Sequence, residues 1–171
     1  PAALVSGRDS FVVLAEGNPI GSRTTVLQRT ADSVVFTETL AVEENASTRL
    51  TVVLDPSDLT LKRMEQTGTL GAQTSDMRLR VVGGRLTGSA SIPTPNGVEQ
   101  IAIDTALASG PWYIEFATHV IVRALPLSAG AAFSLPVYSV GDQTLKTLRV
   151  QVAGPDSVRV QYLSLTGELL Y

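Results

Sequence analysis

The sequence predicts an all-β protein, or a β protein with one short helix, folded as a strongly curved antiparallel meander sheet or an incomplete β-barrel. Apolar and polar residues alternate with a period of two along most of the 171 residues, a pattern typical of strands with one buried face. Turn residues interrupt the alternation at short intervals, so consecutive strands are expected to pair. A long meander of this kind twists strongly and curls towards closure.

The first half of the chain divides into strands at turns that contain proline or glycine. Glu16-Gly17-Asn18-Pro19 ends the first strand, because proline has no N–H group to donate to a β-ladder. In the third strand, Val34, Phe36 and Leu40 share one face, and Glu38 interrupts this apolar face. The predicted strands of this half are residues 11–15, 20–29, 33–42, 49–54 and 59–67.

The middle of the chain continues the same pattern. Met77 and Leu79 alternate with Arg78 and Arg80, which predicts that the arginines lie on the face opposite to the apolar side chains. Gly83-Gly84 separates two alternating runs and predicts a two-residue hairpin turn, because the favoured turns of this length need positive φ. The predicted strands here are residues 75–82, 85–92 and 98–104.

Residues 106–125 fit two secondary structures. Trp112, Phe116 and Val120 have the spacing of a helix face, whereas Trp112, Ile114 and Phe116 alternate as in a strand. Ser109-Gly110-Pro111 resembles a helix start and Pro126 a helix stop, so one short helix is favoured and the strand stays open as an alternative.

The β pattern resumes after this segment, and it predicts three further strands at residues 131–138, 144–152 and 157–163. No change of composition, long linker or internal repeat divides the chain. The sequence therefore predicts a single β-rich domain over residues 1–171.

Composition excludes several classes of function. The chain has no cysteine and one histidine, His119, so thiolate chemistry, disulfides and multi-histidine metal sites are excluded, and neither a metal nor another cofactor is expected. Its 13 basic residues form no run against 16 acidic ones, so nucleic acid is not an expected partner. No apolar run approaches the roughly 18 residues of a membrane-spanning helix, so no transmembrane segment is expected.

The beginning of the chain bears on its location. It starts with Pro1-Ala2-Ala3 and no methionine, as a mature chain does after removal of a signal peptide. We therefore expect a periplasmic or extracellular protein.

Catalytic candidates are few. His119 would need a nucleophile such as Ser109 or Ser128 and a carboxylate such as Glu115 or Asp104, and no Gly-x-Ser-x-Gly motif is present. We therefore expect no enzymatic activity.

Two acidic clusters, Glu43-Glu44 and Asp55 with Asp58, lie in predicted turns, where carboxylates are solvated or cap the backbone. Asp55, Ser57 and Asp58 lack the ligand spacing and the glycine of known calcium loops. Both clusters are therefore interpreted as structural.

Three short stretches carry a resemblance to a family. They are Gly7-Arg8-Asp9-Ser10-Phe11 with the following Gly17-Asn18-Pro19-Ile20-Gly21, Gly83 to Ala90, and Arg123 to Gly130. With them the chain resembles a poorly characterised family of bacterial secreted or periplasmic β-rich proteins of unknown function. The resemblance implies a location in the cell envelope and a curved antiparallel sheet. The predicted architecture is also similar to that of outer-membrane lipoprotein carriers, although fold alone does not assign function.

Two functions are consistent with these observations. The first is a non-enzymatic envelope protein that binds an apolar ligand or a lipid-modified partner in a concave sheet face. Its expected lining residues are Phe36, Met77, Leu79, Trp112, Phe116 and Val120, and for Trp112 packing in the core is the alternative. The second is a structural or accessory subunit of a larger envelope assembly, which would dock through the C-terminal residues Leu169, Leu170 and Tyr171.

Overall fold

The computed structural model describes residues 4–42, 46–94, 97–107, 111–126, 128–154, 157–164 and 167–170. Within these ranges the chain forms thirteen strands, a 3-10 turn at Glu115–Ala117 and one α-helix, α1 (Thr118–Ala124). The strands are β1 (Gly7–Ala15), β2 (Asn18–Arg29), β3 (Val34–Val42), β4 (Ala46–Leu54), β5 (Leu61–Leu70), β6 (Gln73–Val82), β7 (Arg85–Thr94), β8 (Gly97–Ala106), β9 (Tyr113–Ile114), β10 (Ala132–Ser139), β11 (Thr144–Gly154), β12 (Ser157–Ser164) and β13 (Gly167–Leu170). The prediction of an all-β antiparallel meander with one short helix is confirmed.

The chain falls into two compact units. One comprises Val5–Pro56 and Leu61–Ala108 and contains β1 to β8. The other comprises Pro1–Leu4, Ser57–Thr60 and Ser109–Tyr171 and contains the helix and β9 to β13. The grouping of residues 1–171 into one domain stays a prediction.

The first unit is one eight-stranded sheet in which every strand pairs with its neighbours in sequence. The order is β1 to β8 and all pairs are antiparallel. The predicted turn at Gly83-Gly84 is confirmed, since Val82 pairs with Arg85 and the two glycines have φ of 58° and 75°. Such values place both glycines in the left-handed region that a type I′ turn requires.

The two faces of this sheet differ in burial. We name the face that carries Phe36 the inner face and the face that carries Arg80 the outer face. On the inner face the strand register aligns a transverse line of apolar side chains, here named the apolar row, whose members are 0 to 7% exposed. The apolar row consists of Leu27, Phe36, Val52, Met64, Leu79 and Ile103. Each buried side chain of this size contributes about 1.5–3 kcal/mol of burial free energy.

The second unit is a five-stranded sheet in the order β13-β12-β11-β10-β9. Its strands are antiparallel except for β9, which pairs with β10 in parallel. The core of this unit is a cluster of buried aliphatic side chains from α1, β10 and β11, namely Val122, Val137, Leu148 and Val150. Helix α1 contributes Val122 to this cluster, and its residues Val120, Ile121 and Ala124 are buried as well.

The segment at residues 106–125, for which the sequence allows a helix or a strand, contains both. Tyr113 and Ile114 are extended because they pair with Val137 and Tyr138, and the helical residues begin only at Glu115. The predicted helix start at Ser109-Gly110-Pro111 is therefore wrong, and Ser109 and Gly110 lie outside the described residues.

The predicted helix stop is confirmed. Helix α1 ends at Ala124, and Leu125 is extended at φ −71° and ψ 150°, as expected for the residue before Pro126. In the part of the chain that the structure describes, no helix is long and apolar enough to cross a membrane.

Two of the three C-terminal residues of the accessory-subunit hypothesis, Leu169 and Leu170, lie in β13. Leu169 and Leu170 pair with Tyr162 and Gln161 of β12, and β13 is an edge strand in the sheet order. Tyr171 lies outside the described residues. Docking of a partner on this edge stays a prediction.

Candidate ligand site on the inner face of the eight-stranded sheet

Three of the predicted lining residues share the inner face. Phe36 of β3 and Leu79 of β6 belong to the apolar row, and Met77 of β6 lies one position further along the same face. All three side chains are buried, at 1%, 3% and 7% exposure respectively. The structure therefore brings these three predicted residues onto one apolar surface.

The other three predicted lining residues belong to the second unit. Trp112 is 7% exposed, and its ring contacts the Tyr138 ring edge-on at 6.4 Å between centroids and 69° between planes. Val120 is buried in α1, and Phe116 is half-buried in the 3-10 turn. The Trp112 ring is thus packed in the interior of the second unit.

A line that contains polar side chains runs beside the apolar row on the inner face. The register aligns Thr25, Glu38, Leu50, Gln66 and Met77 from β2 to β6. Thr25, Leu50 and Met77 are buried, whereas Glu38 and Gln66 are half-buried. The inner face therefore changes from apolar to mixed polar character along the strands.

Arg23 and Glu38 form an ion pair on this mixed part of the face. Arg23 pairs with Leu40 in the register, so it lies diagonally across from Glu38 and within reach of it. Arg23 Nη2 donates to Glu38 Oε2 at 2.5 Å, and Glu38 retains 21% side-chain exposure. Glu38, which interrupts the apolar pattern of β3, is thereby matched by a cation on the neighbouring strand.

Two buried polar atoms on this face have no partner. Arg23 Nε and Gln66 Oε1 are both inaccessible to solvent and make no hydrogen bond. A buried unpaired donor or acceptor costs about 1–3 kcal/mol. Because two strands lie between β2 and β5, the two residues are about 14 Å apart across the sheet. The inner face therefore holds one donor and one acceptor that lack partners and are covered by neighbouring protein atoms.

Arg23 and Gln66 are not among the site residues that the sequence predicts. The alternation of β2 places Arg23 on the same side as Leu27, and Glu38 stands out as a charged residue on an apolar face. These two signals are visible in the sequence, but the pairing of β2 with β3 is needed to bring the charges together. Gln66 gives no signal, because nothing local distinguishes it from an exposed strand residue.

The carboxylates considered for catalysis have structural partners. Glu115 Oε1 accepts a hydrogen bond from the Val140 backbone N–H at 2.7 Å, and Asp104 forms an ion pair with Arg85 at 2.8 Å. His119 is half-buried in α1. Glu115 therefore fixes the loop after β10 to the 3-10 turn.

The acidic turn clusters also have structural roles where they are described. Asp58 Oδ1 accepts hydrogen bonds from Thr60 N–H at 2.9 Å and from Thr60 Oγ1 at 2.7 Å, which is an Asx turn. Asp55 pairs with Lys62 at 3.1 Å. Glu43 and Glu44 lie outside the described residues. No group of three or more potential metal-ligating side chains occurs among the residues that are described.

Asp142 provides a titration test of the turn between β10 and β11. Hydrogen bonds from Lys146 and, to a smaller extent, from Ser139 hold the pKa of the Asp142 carboxyl below its ordinary value. Because the pKa of Asp142 is lower in the native state, its ionised carboxylate stabilises the folded protein at pH values above the unfolded pKa of about 4. This stabilisation is lost as the pH falls through the native pKa.

We expect the wild-type protein to be more stable than Asp142→Asn at about pH 7, with a difference that shrinks towards about pH 2. Urea unfolding of both proteins at the two pH values measures this difference. A difference that is the same at both pH values would contradict the expected role of the ionised carboxylate.

Comparison with models of protein families, with curated proteins and with solved structures found no match to this chain.

Proposed function

We propose that the protein is a non-enzymatic binding protein of the bacterial envelope, and that it holds an amphipathic ligand on the inner face of the eight-stranded sheet. The ligand contains an acyl chain or similar apolar part and a polar group, as a lipid or a lipid-modified partner does. The envelope location is supported by the family resemblance of the sequence alone.

The observation that carries the proposal is the pair of unpartnered polar atoms beside an apolar surface. Arg23 Nε and Gln66 Oε1 are buried without hydrogen bonds, and Met77 and Leu50 lie on the same line as Gln66. A ligand that displaces the side chains covering these two atoms and brings an acceptor and a donor would remove the free-energy cost of leaving them unpaired. Sites for small molecules commonly combine an apolar lining with a few placed polar groups.

The charge of the site favours an amide or hydroxyl over a free anion. Glu38 already neutralises Arg23 through the 2.5 Å ion pair, so the remaining Nε donor adds no net positive charge. A ligand with a neutral acceptor for Arg23 Nε and a separate neutral donor for Gln66 Oε1 fits these atoms without leaving an unpaired charge.

Calorimetric titration with N-lauroylethanolamine tests this proposal, because the probe joins an acyl chain to a neutral amide and a hydroxyl. We expect saturable binding with a negative change in heat capacity, which marks the burial of apolar surface. Gln66→Leu replaces the amide group, which contains the acceptor, with an apolar side chain of similar size. The loss of one hydrogen bond predicts a dissociation constant about 2- to 10-fold higher for this variant.

The matched control is Gln100→Leu. Gln100 lies on the outer face, where it donates a hydrogen bond to Ser91 Oγ at 3.0 Å. This variant makes the same chemical change in the same sheet and should bind the probe as the wild-type protein does. The proposal fails if the wild-type protein does not bind the probe, or if both glutamine variants lose affinity equally.

A further inference from the structure

The outer face of the eight-stranded sheet carries a cluster of arginines that the proposed function does not use. Arg63 of β5 pairs directly with Arg80 of β6, and Arg78 lies two residues from Arg80 on the same face. Directly opposite side chains in an antiparallel pair have Cβ atoms about 4.5–5.5 Å apart, and like charges at this spacing destabilise a sheet. The Arg63–Arg80 pair is therefore unfavourable in this sheet, whereas the same register places Glu65 directly opposite Arg78.

The carboxylates nearby neutralise this cluster only in part. Glu65 contacts Arg63 at 3.8 Å and Asp76 contacts Arg78 at 3.2 Å, and the four side chains are 41 to 72% exposed. Exposed pairs of this kind contribute little because solvent screens them. Asp104 on the same face is engaged by Arg85. Across the described ranges, no carboxylate forms an ion pair with Arg80.

The three arginines surround a depression of about 470 Å³. Its other outer-face lining residues are Glu65, Thr87 and Ser89. The lining also includes Met64 and Leu79, whose side chains are buried in the apolar row, so their backbone forms the floor. The volume is within the range of about 300–1,000 Å³ found for small-molecule sites.

We propose that this depression is a binding site for a phosphate-bearing ligand, held by Arg63, Arg78 and Arg80. Guanidinium groups bind phosphate oxygens through paired, charge-assisted hydrogen bonds, and three of them face one carboxylate in the depression. The hydroxyls of Thr87 and Ser89 add hydrogen-bonding groups at the rim. A bound phosphate places negative charge between Arg63 and Arg80 and so relieves their repulsion.

This site is independent of the proposed function, because it lies on the opposite face of the sheet and uses none of the same side chains. The phosphate group could belong to a soluble molecule or to a lipid headgroup. The chemistry of recognition is the same for both sources, and the experiment separates them.

Calorimetric titration with inorganic pyrophosphate at about 0.15 M salt, where the Debye length is about 8 Å, tests the site. We expect saturable binding to the wild-type protein and a dissociation constant at least about tenfold higher for Arg80→Gln, since one charge-assisted contact is lost. The control is Arg49→Gln, which removes the same charge from an exposed position on the outer face of β4, outside the depression. Screening should limit the effect of Arg49→Gln to about twofold.

A thermal melt without ligand provides the second measurement. Arg80→Gln removes the cross-strand repulsion from Arg63, so its melting temperature should equal or exceed that of the wild-type protein. If Arg80→Gln stays folded but no longer binds pyrophosphate, Arg80 acts in binding the ligand and is not required for folding. The proposal is overturned if the wild-type protein does not bind pyrophosphate, or if Arg49→Gln weakens binding as much as Arg80→Gln does.

Vesicle flotation identifies the source of the phosphate. Co-flotation with vesicles of phosphatidylcholine and phosphatidic acid, but not of phosphatidylcholine alone, and its loss in Arg80→Gln would support a lipid headgroup. Binding of pyrophosphate without co-flotation would support a soluble ligand. The proposed acyl-chain site is tested separately, since Arg80→Gln should bind the neutral N-lauroylethanolamine as the wild-type protein does.

Discussion

Replacing Gly88 with alanine is expected to destabilise the eight-stranded unit by about 3 kcal/mol or more. Gly88 has φ of +153°, a backbone conformation that residues with a side chain rarely adopt. A Cβ atom at this position would lie 1.9 Å from the carbonyl oxygen of Arg78 and 3.0 Å from the Cα of Leu79. Both neighbours are backbone atoms of β6, so relief of the clash requires β6 and β7 to move apart. Urea unfolding monitored by circular dichroism measures the loss.

Gly7→Ala is the matched control for this substitution. Gly7 lies in the edge strand β1 of the same sheet, and a Cβ atom there would meet no atom within 4 Å. Its φ does not lie in the left-handed region. We expect a change in unfolding free energy within about 0.5 kcal/mol for this variant. Equal stability of Gly88→Ala and Gly7→Ala would show that β6 and β7 do not approach each other as described.

The close approach at Gly88 also bears on the phosphate site. Gly88 lines the depression, and its missing side chain allows β7 to lie against the Arg78 backbone. The backbone of Arg78 is thereby packed closely against β7. A site whose support is rigid loses less conformational entropy on binding.

Much of the fold could be predicted because its determinants are local. The alternation of Met77 and Leu79 with Arg78 and Arg80 assigns two faces to β6, and the burial of these residues follows that assignment. Gly83-Gly84 specifies a turn type through backbone sterics alone. Strands joined by such turns pair with their neighbours, so the order of the eight-stranded sheet follows from the chain order.

The candidate sites depend on strand register, and sequence alone did not supply it. Arg63 and Arg80 are 17 positions apart and become neighbours only through the pairing of β5 with β6. A shift of one residue would place Arg63 on the opposite face from Arg80. For this reason the basic residues show no cluster in the sequence, whereas the outer face carries one.

The start of the helix was mispredicted for a related reason. Pro111 and the preceding serine and glycine have the composition of a helix start, but Tyr113 and Ile114 gain backbone hydrogen-bonding partners by pairing with β10. Tertiary pairing therefore overrides a local capping signal. The helix stop was predicted correctly because the restriction before Pro126 is steric and needs no partner strand.

Replacing Tyr138 with alanine is expected to destabilise the second unit by about 3–5 kcal/mol. Tyr138 is 1% exposed and among the largest fully buried side chains of the described residues, so its truncation leaves a cavity in the packed interior. The edge-on contact with the Trp112 ring is lost as well. Urea unfolding measures the free energy. Trp112 is the only tryptophan of the chain, so its fluorescence reports on this contact directly.

Tyr138→Phe separates the ring from the hydroxyl. The phenyl ring can keep the 6.4 Å edge-on geometry, so this variant should retain the native Trp112 emission and lose less stability than Tyr138→Ala. In folded Tyr138→Ala, water or a shifted side chain reaches the indole, and its emission should move to longer wavelength. If Tyr138→Ala keeps the native Trp112 emission and loses less than about 1 kcal/mol of unfolding free energy, the interior packing of these two rings is contradicted. A red shift in both variants would instead assign the packing of Trp112 to the Tyr138 hydroxyl rather than to the ring contact.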